Sequence, residues 1–170
     1  MKSFFTFCAL AYFCLFLSST RANASPAPVI AANKTKQNAY LNDVTVYGGN
    51  ANAPLMSVNS IRRAKNKGFE RIVVDLNSPD SQNELPYFQV ALASDQNKII
   101  LGIRGIQGNR LKQNVLNQRF ARSAIIASSY LVPVNEDGLF SLELDLRKQA
   151  SVETFYLTNP PRIILDIETK

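Results

Sequence analysis

From Val44 onward the chain alternates apolar and polar residues in short runs, the period-two pattern of half-buried strands. Val44-Thr45-Val46-Tyr47 alternates and stops at Gly48-Gly49, and Val58 to Ile61 begins a second run. In Ile72-Val73-Val74-Asp75-Leu76 the residues Ile72, Val74 and Leu76 share one face, while Arg71, Val73 and Asp75 point the other way. Further runs cover Tyr87 to Leu92, Ile99 to Ile103, Ala124 to Val134, Leu139 to Leu146, Val152 to Leu157 and Ile163 to Ile167. Turn residues separate most of them, as at Ser78-Pro79-Asp80, Asn135-Glu136-Asp137-Gly138 and Asn159-Pro160. Short strands at this spacing, rich in β-branched and aromatic residues, predict an all-β sandwich or barrel. One segment breaks the pattern. Leu111 to Phe120 has apolar residues at 111, 115, 116 and 120, a spacing closer to a helix turn, and predicts one short helix.

The chain also resembles itself. Gly68 to Leu76 aligns without a gap over Gly138 to Leu146, with the glycine, the aspartate and the last leucine in common. Lys98 to Ile103 aligns over Arg162 to Ile167. The first offset is 70 residues and the second 64, so the first copy holds six extra residues, assigned to the polar loop Ser78 to Glu84. One copy has too few strands to bury its apolar face. Two copies, over about 55–103 and 123–168, predict a small β-sandwich of two pseudo-symmetric halves, with the helix in the crossover.

The start of the chain reads differently. Lys2, the apolar run Phe4 to Leu17, a polar stretch and Ala22-Asn23-Ala24 form the order of a secretory signal cut after Ala24. The apolar run is short for a membrane anchor, which needs about 20 residues. Residues 25–43, rich in Pro, Ala, Asn and Lys without periodicity, are expected to be a flexible leader. The folded domain is then expected over residues 44–170.

Cleavage changes the composition. It removes Cys8 and Cys14, so the exported chain has neither disulfide nor thiol chemistry. It leaves 17 basic and 13 acidic residues, a charge of about +4 against +6 for the whole chain. That balance favours an anionic partner mildly. No nucleic-acid motif is present, and no later run is long enough to span a membrane.

The closing segment Phe155-Tyr156-Leu157-Thr158-Asn159-Pro160-Pro161-Arg162-Ile163-Ile164-Leu165-Asp166-Ile167 resembles the last motif of the AMIN domain. That motif is a strand, an Asn-Pro-Pro turn and an Arg-led apolar strand ending in Asp. Gly68 to Leu76 is similar to the family's glycine turn and Arg-apolar-Asp strand, and the similarity spans roughly residues 55–168. The resemblance implies a two-part β-sandwich in the Gram-negative periplasm. There it would serve as an adaptor that positions cell-wall amidases or type IV pilus secretins on peptidoglycan. Without a catalytic domain in this sequence, only the binding role carries over.

The residues themselves argue against catalysis. Zinc amidases use histidine ligands and serine triads a histidine base, and the chain has no histidine. Glu143 and Asp145 lie two apart on one strand face, the pattern either of a solvated face or of a carboxylate pair. Gly102-x-x-Gly105-x-x-Gly108 lacks the strand-to-helix setting of a phosphate loop, and is expected to loosen the crossover. No cofactor and no metal site is expected.

Two groups of basic residues are candidates for ligand binding. Arg71 and Arg162 stand at like outward positions beside apolar strands, with Asp75 and Asp166 at the strand ends. They serve either cross-strand ion pairs or a ligand. Gln96 to Asn135 contains no acidic residue but carries Lys98, Arg104, Arg110, Lys112, Arg119 and Arg122. Arginine holds carboxylates such as those of peptidoglycan stem peptides in a bidentate fork. Arg62, Arg63, Lys65 and Lys67 form a further cluster before Gly68. Two functions follow. One is a non-catalytic periplasmic module that binds peptidoglycan or targets an envelope machine. The other is a protein–protein adaptor of a pilus or secretion assembly, docking through a strand edge.

Overall fold

The computed structural model describes residues 27–77, 84–134 and 137–169; the expected signal at 1–24 lies outside them. In chain order the strands are β1 (Val29–Ala31), β2 (Thr45–Gly48), β3 (Met56–Lys65), β4 (Phe69–Asn77), β5 (Phe88–Ala93), β6 (Lys98–Ile103) and β7 (Ile106–Asn109). The helix α1 (Gln113–Phe120) follows, then β8 (Ile126–Val132), β9 (Phe140–Leu146), β10 (Ala150–Thr158) and β11 (Pro161–Thr169). They form two mixed sheets, one of six strands ordered β1-β2-β5-β6-β9-β8 and one of five ordered β10-β11-β4-β3-β7. The chain is the all-β sandwich with one short crossover helix that the pattern predicts.

The inner faces follow from the alternation. Ile72, Val74 and Leu76 of β4 are buried against Phe88, Val90, Leu101, Phe140 and Leu142 of the six-stranded sheet, and Ile163, Leu165 and Ile167 complete the layer. Each such fully buried side chain contributes about 1.5–3 kcal/mol, which lets the sandwich hold without a disulfide.

The two halves are interleaved rather than stacked as separate layers. The hairpin β3–β4 lies in the five-stranded sheet and β5–β6 in the six-stranded one; β8–β9 and β10–β11 take the opposite assignment. The register carries the repeat residue by residue. Arg162 faces Asp75 and Leu165 faces Ile72 across β11–β4, as Lys98 faces Asp145 and Leu101 faces Leu142 across β6–β9. The 64- and 70-residue offsets map the second set onto the first. A bulge falls between Val58 and Ser60 in β3 and again between Ile126 and Ser128 in β8. Both repeat glycines, Gly68 at φ +91° and Gly138 at φ +68°, take the left-handed conformation that favours glycine. The six extra residues fall between β4 and β5, where residues 78–83 lie outside those described.

Two expectations are corrected. Residues 27–43 are not a featureless leader. They form β1 parallel to β2, then cross the outside of β10 with backbone bridges Asn33–Phe155 and Leu41–Val152. Pairing with an existing edge needs no apolar period in the added segment, so composition does not reveal it. Arg71 and Arg162 do stand on one outer face, although their counterparts in the repeat are Ser141 and Lys98. Finally, the Gly102 to Gly108 stretch is ordered as β6, a turn at Gly105 and β7, not a loosened crossover.

Candidate functional site

The outer face of the five-stranded sheet is a grid. Strand register lines up Leu157, Arg162, Asp75 and Ser60 in one row across β10, β11, β4 and β3. The next row is Phe155, Ile164, Val73 and Arg62, and the third is Glu153, Asp166, Arg71 and Ala64. An apolar row that ends on an arginine therefore runs between two rows of ion pairs. This middle row floors a groove of about 640 Å³. Arg62, Arg63, Arg71, Arg119 and Arg162 surround it, and Ala64, Val73, Phe155, Leu157 and Ile164 supply its apolar surface.

Each arginine is positioned by a specific partner. Arg62 donates from Nε to Asp75 Oδ2 at 2.6 Å and from Nη2 to Oδ1 at 2.7 Å. Arg162 Nε donates to the same carboxylate at 2.9 Å, and the Ser60 hydroxyl donates at 2.6 Å. The bulge before Ser60 turns that hydroxyl onto the outer face. Arg71 grips Asp166 through Nε and Nη2, both at 2.7 Å, with its guanidinium 5.5 Å from the ring centres of Phe69 and Phe155. Arg119 reaches from α1 to donate to the Ile61 carbonyl, on the stretch of β3 beyond its pairing with β7. Arg63 Nε donates to the Arg119 carbonyl, and its Nη1 lies 3.1 Å from Glu70 Oε2 without hydrogen-bond geometry.

The charges do not cancel. Five arginines meet three carboxylates, Asp75, Asp166 and Glu70, which leaves two positive charges in surplus. Position matters as much as number. Arg62 and Arg162 share one carboxylate, and among the described residues Arg119 donates only to the Ile61 carbonyl, so the surplus lies toward β3 and α1. Arg162 uses Nε alone among the described residues, and Arg62 is 53% exposed.

The opposite end of the face is neutralised by the segment crossing β10. Lys36 Nζ donates to Asp166 Oδ2, Glu153 Oε2 and the Tyr40 hydroxyl, and lies 4.5 Å from the Phe69 ring centre. The Gln37 backbone N–H also donates to Glu153. Asp166 is fully buried and Glu153 only 5% exposed, so these acids depend on their partners.

Electrostatics follow from this bonding. Burial pushes the Asp75 carboxyl up, but hydrogen bonds from Arg62 and Ser60 and the nearby guanidinium charges outweigh it, and it titrates below its ordinary value. Glu70 is also pushed up by burial and pulled lower overall by the Ser123 hydroxyl, the Ala124 N–H and Arg63. Glu153 is lowered in the same way, with Lys36 and the Gln37 N–H overcoming burial. Burial opposes the charge on Lys36, yet its bonds to Asp166, Tyr40 and Glu153 raise it. The fork to Asp75 raises Arg62 and the fork to Asp166 raises Arg71.

Of the residues expected to bind a ligand, the fold gathers Arg71, Arg162 and Arg119, and joins them to Arg62 and Arg63. It separates the others. Arg104 lines a smaller depression of about 380 Å³ on the outer face of the six-stranded sheet, beside Tyr87, Ile100 and Gly102. Arg110, Lys112 and Arg122 are exposed and line neither groove. Glu143 and Asp145 share Lys98 at 2.9 and 3.5 Å. Lys36 and Glu153 belong to the site without having been singled out. The one available signal was Glu153 itself, an acid inside the apolar run Val152 to Leu157.

Among the described residues no helix is long and apolar enough to cross a membrane. No protein-family model matches the chain, and no curated protein matches it. The likeness to the AMIN family rests on the motif residues alone.

Proposed function

We propose that the protein is a non-catalytic module of the bacterial cell envelope, exported to the periplasm, that holds peptidoglycan on the outer face of its five-stranded sheet. The observation that carries this reading is the groove of five arginines over an apolar floor, with two positive charges in surplus. Guanidinium forks suit carboxylates, which peptidoglycan stem peptides present repeatedly. The accessible apolar lining, Val73, Ala64 and Leu157, suits small apolar groups between them. The AMIN resemblance supports the same role, with an amidase or secretin as the protein that such a module would position.

The test is co-sedimentation of the purified protein with isolated sacculi. The protein pellets with sacculi at low salt and is released at high salt, because exposed charges are screened within about 8 Å at physiological ionic strength and over shorter distances above it. Protein left in the supernatant at low salt overturns the proposal.

A further inference from the structure

The groove has a direction, and its direction defines a ligand more narrowly than charge alone. We infer that, within the peptidoglycan reading, the apolar row binds an extended peptide of about four residues with small apolar side chains, its free C-terminal carboxylate at the β3 end.

Length is the first support. The row Phe155, Ile164, Val73 and Arg62 crosses four strands. Three strand spacings at about 4.8 Å give roughly 14 Å. Four extended residues at about 3.3–3.6 Å each cover the same distance.

Charge gives the orientation. At the β3 end Arg62 shares Asp75 with Arg162 of β11, and among the described residues Arg119 donates only to the Ile61 carbonyl, so a carboxylate arriving there meets guanidinium charge in excess of its partners. Toward β10 the charges of Arg71 and Lys36 are matched by Asp166 and Glu153, and nothing attracts a second anion. Between the ends, Val73, Ala64 and Leu157 offer aliphatic surface, with Ile164 and Phe155 packed beneath it. The two flanking rows place Arg162 on one side and Arg71 on the other, within the groove wall, as donors for peptide carbonyls. The guanidinium fork matches a planar carboxylate in shape. An inorganic anion alone would use the arginines and leave the apolar row uncovered.

The experiment titrates the full protein with N-acetyl-tetra-alanine as the free acid, the same peptide as its C-terminal amide, and inorganic phosphate. Sacculus retention is measured in parallel. The free acid binds, the amide binds at least tenfold more weakly, and phosphate does not compete at equal concentration. Arg62→Gln and Val73→Glu each weaken the acid at least fivefold, while Arg104→Gln, on the other sheet, leaves it unchanged. Unfolding curves of the variants separate lost binding from lost folding. Retention on sacculi without discrimination between acid and amide overturns the inference and leaves the peptidoglycan reading standing. Loss of both overturns the reading itself. Peptide binding without retention supports the carboxylate site and overturns its assignment to peptidoglycan.

Discussion

Acids held by arginine, lysine and hydroxyl partners make the five-stranded sheet sensitive to single residues and to pH. Asp75, Glu70 and Glu153 bind their protons more weakly in the folded chain than ordinary carboxyls do. Their contribution to stability is complete above the unfolded-state values near 4 and is lost as pH falls through the lower folded-state values. Urea denaturation is therefore expected to give constant stability from about pH 7 down to about pH 5, with a decline beginning near pH 4. Lys36→Ala tests the cluster directly. It leaves Asp166 with Arg71 alone and Glu153 with backbone donors, in a setting that is nearly closed to water. Breaking a fully buried pair costs about 3–5 kcal/mol, and Lys36 is partly exposed, so a loss of about 2 kcal/mol by the same denaturation assay is expected. Arg71 and Arg162 were legible as candidates because each opens an apolar run beside a strand. Lys36 was not, because its segment carries no period and its acidic partners lie more than 100 residues away.

Apolar runs identified nine strands, most of them burying one face while β10 and β11 are buried on both over most of their length, and helical spacing identified the helix. The pattern missed β1 and β7. These are short, pair in parallel along an edge of another strand, and have no alternating face of their own. The helix does more than cross between halves. Gln113 donates to the Ser129 carbonyl and accepts from the Leu131 N–H, which occupies the free edge of β8, while Arg119 occupies the β3 edge. An adaptor that docks by strand addition thus finds the β8 edge partly taken, and Asn33 and Leu41 occupy β10 in the same way. The bulges offer a test of the repeat at this scale. Ser60 donates to Asp75 and Ser128 to Asp145, each at 2.6 Å, on opposite outer faces. Ser60→Ala and Ser128→Ala should each cost about 1 kcal/mol. The double variant should lose the sum, because the sites share no partner. A clear departure from additivity in thermal unfolding would argue against two independent copies of one motif.

At the scale of the molecule, the repeat built two faces and then differentiated them. The positions of Arg71 and Asp166 on one sheet are Ser141 and Gly102 on the other, so one face is an arginine groove and the other a smaller, less charged depression. The offsets of 70 and 64 residues were visible in the sequence and carry the register of the sheets. The interleaving of the halves was not, because strand pattern records which residues face inward and not which sheet receives a hairpin. Gathering Arg119 with Arg62, Arg63, Arg71 and Arg162 likewise depends on α1 lying along β3. The measurement that tests the account most directly is sacculus retention of the wild-type protein beside the Arg62→Gln/Arg162→Gln double variant at low ionic strength. The account predicts that wild type pellets and the folded variant stays at least tenfold more in solution. Equal retention of the two would contradict it.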